Sequence, residues 1–250
     1  MRIQRRVWLE AALVLGLVFL ALAVRVYLLR SLPIGLHGDE AANGLDVMDI
    51  LRGQRPIFFE RNNGREPLFI YLQSTLVAVL GPTPYALRLT SAIVGALTIA
   101  VLYWMVREAF AGYGRAARWR ALWTALFVTF AYWHINFSRI GLRAIMLPLM
   151  SCQTFGWFWR AWRCLDGSSQ FPWVDLVLCG VCTGAALYTY TAARFLPVLI
   201  VVTAGAGIVL RPRTGDRRRF MMERVLPGVL MVGVVALVVF APLGIGRVSH

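Results

Sequence analysis

Seven apolar stretches, at 7–29, 85–106, 121–138, 142–163, 173–190, 194–210 and 225–245, dominate this chain of 250 residues. Most are near the ~20 residues that carry an α-helix across the hydrocarbon core of a bilayer. In that medium every backbone N–H and C=O has to be satisfied within the protein, so spans of this length fold as a helical bundle. The expected class is an all-α polytopic membrane protein. Composition agrees: 59% of residues are hydrophobic and 15% charged, with mean hydropathy +0.65, where a soluble domain carries roughly 25% charged residues.

An eighth apolar stretch, 67–80, spans 14 residues, a length that also suits a re-entrant or interfacial segment. Arginine placement decides between the two topologies. If 67–80 does not cross and the N-terminus is cytoplasmic, fifteen arginines lie inside and ten outside, with Arg25 within the first span; if it crosses, the split becomes eight against seventeen. The positive-inside rule selects the first arrangement, with 30–84 as one long extracytoplasmic loop. Net charge is +14, all 26 basic residues are Arg, and they alternate with apolar spans instead of forming one stripe. Membrane orientation explains that pattern, and no nucleic-acid partner is expected. Arg2, Arg5 and Arg6 before an apolar run that reaches Ala21-Leu22-Ala23 imitate a secretory signal, but the run continues through Val24, Val26, Tyr27, Leu28 and Leu29, as an uncleaved anchor does.

The first loop carries His37-Gly38-Asp39-Glu40, two adjacent carboxylates beside a bilayer, where ionisable groups are costly and become functional candidates. Residues 41–52 read as an amphipathic helix lying on the membrane, with Leu45, Met48 and Leu51 on its apolar face, and Asp39 fits the cap position ahead of it. Turn residues Arg61 to Pro67 deliver Arg65 and Glu66 to the short apolar segment. Three further polar sets are expected at the same face: Arg88; His134, Asn136, Ser138, Arg139 and Arg143; and Tyr188, Tyr190, Thr191 and Arg194. Each alone reads as an interfacial anchor. Together, carboxylates facing several guanidiniums describe a site for an anionic lipid head group, because the guanidinium fork binds phosphate oxygens in pairs and stays charged.

The runs Gly38-Asp39-Glu40-Ala41, Arg65-Glu66-Pro67-Leu68-Phe69, Ala86 to Thr98 with Arg88, and Phe137-Ser138-Arg139-Ile140 through Pro148 resemble the protein O-mannosyltransferase and aminoarabinose transferase group, glycosyltransferase family 39 and its relatives. The resemblance covers roughly 34–200. It implies a GT-C membrane fold with a module of seven spans, a polyprenyl-phosphate sugar donor used at the extracytoplasmic face, and an acceptor that is protein, lipid or glycan. It also implies Asp39 as catalytic base with Glu40 beside it, and functional roles for Arg88 and Arg139. Arg65, Arg143 and Arg194 are further candidates for the donor phosphate, and His37, Glu66, His134, Tyr188 and Tyr190 for the substrate cavity. Many relatives have Lys or His and a Pro-Pro pair where this chain has Arg65-Glu66-Pro67, which bears on the phosphate contacts and on any divalent metal held there. The chain stops at His250, just after the seventh span, so a C-terminal part of such an enzyme is expected to be missing.

The chemistry suits these residues. A lipid phosphate leaves as a stable anion, so one base and positive charge suffice where a glycosidase needs two carboxyl groups. His37 and Asp39 could give a metal two ligands, with no third evident, and no cofactor is assigned. Cys179-Gly180-Val181-Cys182 has redox spacing but lies in an apolar span, and Gly180 to Gly184 reads as close helix packing. A transporter or flippase is the rival class, but such proteins place charges at mid-membrane on repeated halves; here charges sit at span ends and no repeat is visible.

Overall fold

The computed structural model describes residues 2–62, 64–167, 170–210 and 217–248. Asn63, Arg211 and Arg213 lie outside the described residues, as do the side chains of Arg2, Arg5, Arg6 and Arg247. The helices are α1 (Arg2–Val26), α2 (Gly38–Leu51), α3 (Leu68–Leu80), α4 (Pro84–Ala109), α5 (Arg115–Phe130), α6 (Tyr132–Arg139), α7 (Met146–Gly167), α8 (Trp173–Ala186), α9 (Leu196–Leu210), α10 (Arg217–Phe220) and α11 (Leu226–Val248). No strand occurs among the described residues beyond one isolated bridge, Phe59 with Arg65. Four helical segments, Val7–Val26, Pro84–Ala109, Thr191–Leu210 and Arg217–Gly244, are each long and apolar enough to cross a membrane. This is a multi-pass membrane protein.

α4 organises the bundle. Thr83 caps it by accepting from the Ala86 N–H, Pro84 occupies its first turn, and it runs for 26 residues, or about 39 Å, enough to span the hydrocarbon. Small residues on its buried face, among them Ala86, Ser91, Ala92, Gly95 and Ala96, let neighbouring backbones approach, the usual device of membrane helices. α1, α3, α5, α6 and α7 all pack on α4, α8 packs on α7, and α11 on α8. Gly180 and Gly184 face α11 so closely that a Cβ on either would meet a backbone carbonyl, that of Val232 or Ala236, within 3 Å. The outward surfaces of α1, α9 and α11 carry Leu13, Phe19, Val198, Val202, Val234 and Leu237 exposed. Such a surface is stable against lipid, not water.

Several boundaries differ from the sequence expectation for physical reasons. The stretch 121–138 is not one helix: α5 ends at Phe130, Ala131 is extended, and α6 restarts at Tyr132, which turns His134 and Ser138 inward toward Arg25. α8 stops at Ala186, so Tyr188 and Tyr190 lie in the turn beyond it. α2 begins at Gly38, three residues earlier than expected. α3 has 13 residues and α8 has 14, each about 20 Å long and shorter than the ~30 Å hydrocarbon thickness, so length alone does not separate them.

Candidate active site

The start of α2 is built by a capping box. His37 is extended, its Nδ1 accepts from the Asp39 N–H at 3.3 Å, and Glu40 Oε2 accepts from the His37 N–H at 3.0 Å, which satisfies two of the orphan donors of the first turn. Asp39 therefore does not cap the helix as the sequence suggested. Its carboxylate stays half-exposed on the first turn and accepts from Asn62 Nδ2 at 2.5 Å.

Glu40 is fully buried. It accepts from Arg88 Nε at 2.8 Å and Arg88 Nη2 at 3.0 Å, and from the Gly141 N–H at 2.8 Å. Burial pushes its pKa up, but the Arg88 hydrogen bonds, the Gly141 and His37 N–H groups and the Arg88 charge outweigh that and hold it below the ordinary value. Arg88 also donates to the carbonyls of Pro33, at 2.8 Å, and Gly35, so its guanidinium is filled by protein groups. The Gly141 carbonyl accepts from Asn43 and Gln73, which ties α2 and α3 to the turn after α6. Asn43, Gln73 and Gly141 join the site although no sequence motif marks them. Gln73, one polar residue in an apolar segment, was the available signal.

Phe59 and Arg65 are joined by paired backbone bonds at 3.1 and 2.7 Å. Gly64 has φ +81°, and a Cβ there would lie 2.5 Å from the Phe58 ring. Arg65 is buried and donates to Asn43 and Asp46. Burial draws its pKa down while Asp46 opposes, and Arg143 and Asp39 are both within electrostatic reach. Arg61 pairs with Asp46 at 2.7 Å and Asp49 at 2.5 Å. Glu66, also buried, accepts from Thr191 Oγ1 at 3.1 Å. Arg143 Nη1 lies 3.1 Å from Glu66 Oε2 in ion contact, yet that oxygen receives no aligned hydrogen bond. The Arg143 guanidinium sits 5.7 Å over the Tyr190 ring. Asp39, Arg65, Glu66, Arg143, Tyr190 and Thr191 thus come together from the first loop, the turn after α6 and the turn after α8.

The other candidates have different neighbours. Arg139 donates to the carbonyls of Val24, Arg25, Tyr27 and Leu32, at 2.6 to 3.3 Å, and so caps the end of α1. His134 Nδ1 lies 2.7 Å from Arg25 Nη2 in a buried cluster that includes Ser138 and the Thr129 carbonyl. Tyr188 Oη donates to the Val239 carbonyl at 2.9 Å and accepts from the Leu243 N–H at 3.3 Å. Pro242 disturbs that turn of α11, and the phenol enters the helix ladder there. Arg194 is exposed and has no hydrogen-bond or ion-pair partner among the described residues. Among the described residues no three His, Cys, Asp or Glu side chains converge as metal ligands. His37 has one ring nitrogen occupied by the capping contact.

No family model and no curated protein matches this chain. Among solved structures, one chain of the Saccharomyces cerevisiae protein O-mannosyltransferase Pmt1-Pmt2 complex, determined bound to the sugar donor, is similar over 94% of this chain with TM-score 0.66 and 19% identity. This chain spans about a third of the length of that one (32%). At that identity the likeness concerns the fold, an all-helical membrane module of the GT-C type.

Proposed function

We propose that this chain is the transmembrane module of a glycosyltransferase of the O-mannosyltransferase type. It moves a sugar from a polyprenyl-phosphate donor to an acceptor hydroxyl at the extracytoplasmic face, with inversion. In this reading seven helices cross the membrane, α1, α4, α5, α7, α8, α9 and α11, while α2 and α3 lie along the outer surface.

The observation that carries the reading is the state of Asp39. Glu40, Asp46, Asp49 and Glu66 each meet a guanidinium, which occupies their oxygens. Among the described residues Asp39 has the Asn62 amide as its one side-chain hydrogen-bond partner, with Arg65 at electrostatic reach but not paired, and it stays open to solvent on one side. It is the carboxylate of this group free to accept a proton. As the acceptor oxygen bonds to the anomeric carbon, its proton passes to Asp39 and the bond from that carbon to the lipid phosphate oxygen breaks. The phosphate departs as an anion and needs cations, not a second acid. Arg194, without a partner among the described residues, and Arg143, loosely held by Glu66, supply them. Arg88 and Arg139 serve as internal struts that fix the segment leading into α2.

Asn keeps the shape of Asp but cannot take the proton, and the helix cap does not depend on position 39. Asp39→Asn is therefore expected to preserve folding and donor binding and to lower single-turnover sugar transfer by about 10²- to 10⁴-fold at equal donor occupancy. Near-normal transfer by this variant removes the mechanism.

A further inference from the structure

At the end of the bundle away from the first loop, α1, α4, α5 and α7 border an open cavity of about 720 Å³ walled by Glu10, Tyr103, Arg107, Glu108, Arg115 and Arg163. Arg107 pairs with Glu10, and Arg163 with Glu108. Three guanidiniums line the cavity against two carboxylates, and Arg118 stands outside that lining beside Glu10. Arg115 is exposed and has no partner among the described residues, and Arg118 Nε is buried without a hydrogen-bond acceptor, with Glu10 Oε2 at 3.8 Å.

One turn further along, the seam between α1 and α5 becomes an apolar groove of about 440 Å³ lined by Ala12, Gly16, Leu20, Trp119, Trp123 and Leu126. A Cβ on Gly16 would meet nothing within 4 Å, so the groove is open along its floor. Arg115, Trp119 and Leu122 share one face of α5 at i, i+4 and i+7. The same helical face therefore carries a free cation at its end and an apolar wall above it.

We propose that an anionic phospholipid occupies this seam, its phosphate between Arg115 and Arg118 and one acyl chain along the α1/α5 groove. Guanidinium suits phosphate because its fork donates two parallel charge-assisted hydrogen bonds. A soluble phosphate could use the cavity alone. Arg115 of the cavity and Trp119 of the groove stand one turn apart on the same face of α5, and that adjacency selects a ligand that is anionic at one end and apolar at the other.

The test is retention of phosphatidylglycerol against phosphatidylcholine by the purified full chain, read by native mass spectrometry after release from nanodiscs holding both. The wild type is expected to keep phosphatidylglycerol preferentially. Arg115→Gln is expected to lower that retention about 10- to 100-fold, the scale of one hydrogen bond to a charged group. Gly16→Leu, which fills the groove, should do the same through the chain. Arg120→Gln removes the same charge from a guanidinium stacked on Phe110 and Tyr113 outside the groove, and should change little. Equal retention of the two lipids, or an equal effect of Arg120→Gln, overturns the proposal. So does full competition by millimolar inorganic phosphate, which would assign a soluble anion, or a wild-type particle of twice the mass that Gly16→Leu halves, which would assign the seam to a second copy.

Discussion

The Glu40–Arg88 pair offers the most direct test of how this site is held. Arg88→Met keeps much of the side-chain volume and removes the guanidinium, so a fully buried carboxylate keeps only two backbone N–H donors, from His37 and Gly141, and no counter-charge. The carbonyls of Pro33 and Gly35 lose their donors as well. Breaking a buried pair by removing one partner costs about 3–5 kcal/mol, because a charge is left uncompensated. Glu40→Gln should also destabilise, since an amide turns one N–H₂ toward groups that are themselves donors. The double variant no longer buries a lone charge, so the two losses should fall short of additive by at least about 1 kcal/mol. The assay is equilibrium unfolding of the full chain in mixed micelles at pH 7. Acid supplies an independent sign. The Glu40 pKa is depressed in the folded state, so its contribution is complete above the ordinary carboxyl range and is lost as pH falls through the lower folded value. Wild type should weaken in that acid window more than the double variant does. Additivity within about 0.3 kcal/mol, or identical acid profiles, would refute the account.

Three further outcomes follow from the geometry. Arg194→Ala should weaken binding of the polyprenyl-phosphate donor about 10- to 100-fold by direct titration, whereas an Arg that merely rests in head groups would leave affinity unchanged. Gly64→Ala should destabilise the first loop by about 1–3 kcal/mol, since it combines positive φ with a clash against Phe58, and protease cleavage within 58–66 should accelerate. Single Cys probes at Gly64 and Gly81, in a background free of the four native Cys, should both label from outside; labelling of Gly81 from the cytoplasm alone would mean that α3 crosses.

Helix existence was legible because an apolar run of twenty residues has few other uses, and the Asp39-Glu40 loop stood out because carboxylates beside a bilayer are costly. What the chain did not disclose is who pairs with whom. Glu40 finds Arg88 at a separation of 48 residues and Gly141 at 101, contacts that only the packed bundle creates. From sequence, Arg88 and Arg139 resembled Arg143 and Arg194, all near span ends. Their surroundings differ only once the carbonyls that fill the first two are seen. The cap at α2 was misplaced for a local reason: Asp is a commoner cap than His, but Glu40 completes the box three residues after His37 and not after Asp39. The break at Ala131 had no breaker residue to announce it. Arg25 was a visible charge inside an apolar span, and the cluster with His134 and Ser138 is its explanation.

That cluster also dictates an order of events in biogenesis. The long-range partners of Arg25 lie 104 to 113 residues later in the chain, on the end of α5 and on α6. When α1 first enters the bilayer none of them has been synthesised, and a guanidinium held at depth without partners is expensive. Arg25 sits one residue before the end of α1, close enough for its long stem to reach the nearer head-group layer while it waits. The first helix is thus inserted shallow at that end and drawn to its final seat only when α5 and α6 arrive.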